Sequence, residues 1–188
     1  DSIIWMAEGR KYEEVVLMTA SLARLLRQSI SNEDEVVPLA REVEYAKGYL
    51  TIQKMRYKDK LEFEIDVEPS ILNIPLIKLV LQPIIENAIY HGLKYKESKG
   101  LLQVKGFMKD GNAVLQVIDN GVGMDEETLS HIYDKHKVNY HSNGVGVYNV
   151  QKRLKLYYGE NYGITYESEK GVGTTATIII PGIQEESI

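Results

Sequence analysis

Glu86, Asn87 and His91 interrupt "LVLQPIIENAIYHG" (residues 79–92), whose Leu79, Val80, Leu81, Ile84, Ile85, Ala88 and Ile89 are those of a buried helix. Asn87 and His91 are four residues apart and share a helix face, as do Gln82 and Glu86; Glu86 and Asn87 point about 100° apart. A neutral amide oxygen is a suitable Mg2+ ligand beside phosphates. A carboxylate next to it can act as a general base or orient a water, and an imidazole can donate to a phosphate oxygen. A polar stripe facing solvent on a surface helix is the alternative reading.

Three glycine-rich stretches follow: "DNGVGM" (119–124), "NGVGVYNV" (143–150) and "GVGTT" (171–175). Each taken singly also reads as a turn. The first closes a strand-like run, "AVLQVID", and so places the Asp119 carboxylate at a strand end. There it can accept from an exocyclic amine, while the neighbouring glycines admit a flat ligand. The second leads into a helix, whose exposed N–H groups can hold phosphate. No Walker loop is present, and Asn149 stands where a dinucleotide-binding fingerprint needs its third glycine.

The elements that must position these groups are legible from periodicity. Residues 10–31 read as a helix with an apolar stripe of Val15, Leu17, Met18, Leu22, Leu25 and Leu26. With Trp5, that stripe is expected to pack helix on helix. A second helix follows Pro38, using Val43, Ala46, Tyr49, Leu50, Ile52 and Met55, and ends at "YKDK" (57–60). "LEFEIDVE" (61–68) alternates like a half-exposed strand. The polar-interrupted helix is expected from Pro75 to Gly92, kinked or weakened at Pro83. "KDGN" marks a hairpin between two strands. "DEETLSHIY" suggests a short helix starting near Asp125, residues 133–144 are unpatterned, and "GVGVYNVQKRLKLYYG" is a helix. Two strands close the chain, and Tyr157 and Tyr158 are expected to anchor the last helix to the sheet. Hairpins without regular βαβ succession predict an α+β fold, helices covering one face of a mixed, mostly antiparallel sheet. The expected division is a helical segment, 1–57, and a mixed domain, 58–188.

Composition narrows the function classes. The chain has 188 residues, a net charge of -5 and 44% apolar content, enough for a core and too much for a disordered chain. The mild acidity gives no reason to expect nucleic-acid binding through a basic surface. Without cysteine there are no disulfides or thiolate metal sites. No apolar run approaches the ~20 residues that span a bilayer, and no signal peptide is visible. The chain opens on Asp1 straight into helical pattern, which reads as a piece of a longer protein.

The four segments in order, "ENAIYHG", "DNGVGM", "NGVGVYN" and "GVGTT", resemble the boxes of the GHKL ATPase fold, a two-layer α/β sandwich. "LQPIIENAIYHG", "GVGVYNVQKRL", "YYGENYG", "GVGTTATIIIP" and the upstream "EVEYAKGYLTIQKMRY" are similar to the YesM/LytS-type sensor histidine kinases. The resemblance implies ATP and Mg2+ as cofactors. It implies Asn87 as the metal ligand, Glu86 as the acidic partner in phosphoryl transfer, and His91 as a phosphate contact. Asp119 would accept from the adenine amino group, Gly121 and Gly123 would line the adenine pocket, and Thr174 would reach the base, directly or through water. Gly144, Gly146 and Asn149 would shape the phosphate end and a lid of residues 133–143. His91, His131, His136 and His141 lie in no acceptor motif of that group. The phosphate-accepting histidine is therefore expected upstream of Asp1. A homodimeric full-length protein, a response regulator partner, a membrane anchor and a cytoplasmic location for this part are implied in the same way. A GHKL ATPase that drives conformational change, and a nucleotide-binding module without catalysis, are the alternatives.

Overall fold

The computed structural model describes residues 2–30, 35–132 and 144–182. The helical N-terminus is two helices, α1 (Ser2–Glu8) and α2 (Tyr12–Ile30), not one. Gly9 and a left-handed Arg10 (φ +58°) break them, as no interior helix residue adopts that φ. Of the expected stripe, Met18 is buried, while Leu17 and Leu22 stay 48% and 43% exposed. The side chains of Trp5, Leu25 and Leu26 lie outside the described ones.

A second helix, α3 (Leu39–Tyr57), follows the short strand β1 (Val36–Pro38). Ala46, Tyr49 and Leu50 are buried as expected, and Val43 packs against the core. Leu39, Glu42 and Gln53 are buried as well, whereas Ile52 and Met55 are half-buried. Leu39, Ala46, Tyr49 and Leu50 share one core with the sheet, which therefore runs across residue 57.

The five-stranded sheet has the order β2-β4-β5-β7-β6, built from β2 (Leu61–Val67), β4 (Gly100–Lys109), β5 (Asn112–Asp119), β6 (Gly163–Glu169) and β7 (Gly173–Pro181). β2 and β4 run parallel and the other three pairings are antiparallel, the mixed sheet expected. Asp110 (φ +50°) and Gly111 (φ +78°) form the two-residue turn between β4 and β5, with Lys109 opposite Asn112. Two positive φ values give the turn the twist that suits a hairpin. Alternate residues Leu102, Val104, Leu115, Val117, Ile178 and Ile180 are buried against the helices, while Gln103, Gln116 and Thr177 between them are half-exposed. This period of two is why the helices gather on one face.

The helix expected over 75–92 is shorter. Pro75–Ile77 is a strand, β3, paired antiparallel with β1. The helix α4 (Leu81–Asn87) starts only at Leu81. Pro83 therefore lies in its first turn, where an N–H has no intrahelical partner to lose, so it breaks no helix bond. The last helix, α6 (Gly144–Tyr158), is tied down by Tyr158 alone of the two tyrosines: its hydroxyl donates to Pro75 O at 3.0 Å and accepts from Ile77 N at 3.2 Å. Tyr157 is exposed and meets the Tyr158 ring edge-on, centroids 4.8 Å apart.

Candidate functional site

After Asn87 the helix widens into a π-helical turn, Ala88–Leu93. Such turns recur at functional sites. Asn87 and His91 both face a cavity of about 430 Å³ between α4, the π turn and the ends of β5 and β7. Ile84, Ala88, Val117 and Ala176 make its apolar floor. Asn87 Oδ1 is buried there without a hydrogen-bond partner. An unmet buried acceptor costs about 1–3 kcal/mol and asks for a ligand. His91 stands at the exposed rim, where partial desolvation first and Lys94 second lower its pKa. Glu86 turns the other way: it accepts from Gln82 Nε2 at 2.9 Å and is not among the described residues lining the cavity.

Asp119 ends β5, opposite Thr174 of β7. It is 6% exposed, and its Oδ1 accepts from Gly121 N at 2.8 Å. Burial raises its pKa to about 6, against the pull of the Gly121 and Thr174 N–H groups and the Lys96 ammonium. Lys96 donates to Asn120 O, and Asn120 Oδ1 accepts from Leu101 N at 2.8 Å, so the strand end is pinned to β4. Glycines allow the fit. A Cβ on Gly92 would lie 2.6 Å from Asp119 Oδ1, as would one on Gly121. Val122 N donates to Gly92 O at 3.0 Å, locking this turn to the π turn.

Thr174 is held by Ser168. The Ser168 hydroxyl accepts from Met124 N at 2.8 Å and donates to Gly173 O at 3.0 Å. Its one proton is then committed, so Thr174 Oγ1, 2.9 Å away, must be the donor between them. Thr174 Oγ1 keeps its lone pairs for the cavity it lines.

One wall was not foreseen as part of the site. Met124, Glu127, Thr128, His131 and Ile132 line the cavity from the helix α5 (Glu126–Ser130) and its flanks. Asp125 caps α5 as expected, accepting from Thr128 N at 3.0 Å. The available signal was adjacency, since α5 starts where "DNGVGM" ends. Gly123 lines the cavity, whereas Gly121 supports Asp119 from beneath. Gly144 and Gly146 open α6, Gly146 near Pro83, and Asn149 is exposed; none is among the described lining residues. The expected lid, 133–143, lies outside the described residues, with His136 and His141.

Residues 73–184, which carry every cavity side chain named above, match the family model "Histidine kinase-, DNA gyrase B-, and HSP90-like ATPase". The chain belongs to this ATPase family. Residues 1–61 match a second model, histidine kinase. The chain is 32% identical over 181 residues to the sensor histidine kinase YesM of Bacillus subtilis, covering 96% of itself and 30% of that protein. It is 34% identical over 143 residues to the sensor protein LytS of Oceanobacillus iheyensis, covering 74% and 24%. It thus spans under a third of these relatives. The catalytic domain of the histidine kinase ThkA has the same fold, with a TM-score of 0.60 at 16% identity over 79% of this chain and 98% of that one. Within the ATPase family, the relatives it resembles here are sensor histidine kinases.

Proposed function

We propose that these residues bind Mg·ATP and pass its γ-phosphate to a histidine on a segment outside them, as the catalytic region of a two-component sensor histidine kinase. The observation that carries this reading is a pair of unlike groups in one cavity. Asp119 offers a buried carboxylate for an amine, and Asn87 offers an unmet neutral oxygen for a cation. ATP with its metal has both.

Among the described residues no cluster of three or more His, Cys, Asp or Glu could hold a metal by itself. Mg2+ would therefore take Asn87 from the chain and its other ligands from phosphates and water, which it tolerates. Bound there, it would neutralise phosphate charge. Asp119 and Thr174 orient the base. His91 donates to a phosphate oxygen, and the phosphate charge favours the protonated imidazole. For Glu86 to act at the phosphates, its carboxylate must leave Gln82 and turn about α4. Transfer without it rests on positioning and charge. The homodimer, the response regulator and the membrane anchor belong to the same proposal and rest on likeness to the sensor proteins. No described helix is long and apolar enough to cross a membrane.

The test supplies Mg·ATP and a polypeptide carrying the acceptor helix, then measures phosphohistidine and free phosphate. Transfer to histidine is expected. Phosphate release alone would favour an ATPase that drives conformational change, and binding without either a non-catalytic module. Asn87→Ala should bring ATP affinity in the presence of Mg2+ down to its metal-free value yet leave the fold intact, because its Oδ1 holds no hydrogen bond to lose.

A further inference from the structure

The most deeply buried charged residue among those described lies outside the cavity. Glu42 of α3 is 1% exposed. Its carboxylate accepts three backbone N–H groups from one short turn: Leu79 N at 2.8 Å, Val80 N at 2.9 Å and Leu81 N at 3.1 Å. Leu81 opens α4, so donors that the helix start leaves unpaired are met from another helix. No side chain of the adjoining turn caps α4. From the other side, Arg153 of α6 donates to Lys78 O at 2.9 Å. The turn gripped between them is strained. Leu79 has φ +61°, which a residue with a side chain holds only where its surroundings over-determine it.

A local Ser or Asp at the helix start would cap α4 equally well without reaching across the fold. The long-range cap ties two parts of the chain together. Glu42 lies in the segment that matches the histidine kinase model, and Leu79–Leu81 lie in the ATPase match. α2 packs along α3, and α3 packs against α4, with Tyr49 of α3 buried in the same core. Burial first, and the Glu86 charge next, push the Tyr49 phenol up.

Resting on the ATP reading of the cavity, we infer that Glu42 is a positioning residue: through the Leu79 turn it fixes the start of α4 and so sets where Asn87 stands relative to Asp119. Asn87 is six residues along from Leu81, about 9 Å of stiff helix. A shift at Leu81 therefore arrives at Asn87. Asp119 takes its place from β5, Gly121 and Thr174, none of which Glu42 touches, and from Gly92, which Val122 N fastens to the end of β5 across the π turn. Displacement of α3 relative to the sheet thus moves the metal end of the site and leaves the adenine end. The carboxylate is required because three donors converge on it. Gln would present a donor to at least one of them, and Asp would fall a methylene short.

The experiment uses the whole chain with Glu42→Gln, and with Arg153→Met, which loosens the other side of the same turn. Affinities for adenosine and for Mg·ATP are measured by calorimetry. In Glu42→Gln, adenosine affinity should stay within about twofold while Mg·ATP affinity falls on the order of tenfold. Arg153→Met should give the same split, smaller. In an Asn87→Ala background, Glu42→Gln should have no further effect on Mg·ATP, the non-additivity expected of residues acting through one another. Equal losses for both ligands, no loss for either, or additive losses overturn the inference. The Asn87 side-chain amide signal in NMR should also shift in Glu42→Gln while the Asp119 backbone amide does not. This holds without ligand, so failure of wild type to bind Mg·ATP would sink the ATP reading alone. An unmoved Asn87 signal would sink the positioning role.

Discussion

Asp119→Asn should make the free protein more stable and a poorer nucleotide binder. Burial holds the Asp119 carboxyl at about 6, against an ordinary 3.8. Well below pH 4 the group is protonated in both the folded and unfolded chains. Between pH 4 and 6 the unfolded chain releases its proton first, so the folded chain binds more protons and stability falls as pH rises. Above about pH 6 both are ionised and the loss is complete. A shift of about two units at 1.36 kcal/mol each is about 3 kcal/mol against the folded state at pH 7. Asn carries no charge to desolvate, can keep the Gly121 N–H on its Oδ1, and can turn its Nδ2 to the cavity. The expected gain is roughly 1–3 kcal/mol at pH 7.5 and little at pH 4. Loss of the charged acceptor should weaken ATP binding roughly 10- to 100-fold. Urea unfolding at pH 4, 6 and 7.5 reads the first effect and calorimetry the second. Lower stability of the variant at pH 7.5, or an equal gain at pH 4, would refute the desolvation argument. Unchanged ATP affinity would remove Asp119 from the adenine site.

Three further substitutions test the geometry. Gly92→Ala puts a methyl 2.6 Å from Asp119 Oδ1, so thermal melts should show a loss of about 1–3 kcal/mol, with ATP affinity falling in calorimetry. Gly123→Ala sets a side chain at φ +63° and onto the Glu169 carbonyl oxygen; it should cost clearly more in urea unfolding than Gly111→Ala, where φ is +78° but the space is open. Pro83→Ala should change stability by no more than about 1 kcal/mol, since proline in a first turn removes no helix bond; a gain near ~3 kcal/mol would put it in a helix interior instead.

Features with a local cause were legible in the sequence. Alternation marks β2, "KDGN" marks the hairpin of β4 and β5, and Asp125 marks the start of α5, because each depends on residues a few positions apart. Asn87, His91, Asp119, Gly123 and Thr174 were read as site residues and meet at one cavity. What escaped has a distant cause. The apolar Pro75–Ile77 looks helical, yet pairs with β1 some forty residues earlier. The true start of α4 is set by Glu42, whose charge on a helix reads as solvent-facing until its three donors are seen. The Gln82–Glu86 pair follows the four-residue spacing, but which face of α4 meets the cavity, theirs or that of Asn87 and His91, is set by packing that no spacing rule contains.

The same long-range contacts explain how apolar helix and polar residues coexist. Asn87 carries an unmet acceptor and Asp119 a desolvated charge, each a cost to the free protein of a few kcal/mol. Either group left loose could rotate to water and relieve itself. Asp119 is prevented by Gly92 and Gly121, packed against its carboxylate; Asn87 is prevented by α4, whose start is held by Glu42 and Arg153. The cost is therefore retained until a ligand removes it. A base with an amino group relieves Asp119 alone, and a metal–phosphate group relieves Asn87 alone. Only a ligand carrying both relieves both. At equal multiples of their own dissociation constants, Mg·ATP, adenosine and Mg·pyrophosphate stabilise the fold equally by mass action. The difference must instead appear in the affinities: Mg·ATP should bind more tightly than either fragment by a factor set by both relieved groups, and Asp119→Asn and Asn87→Ala should each remove one part of it.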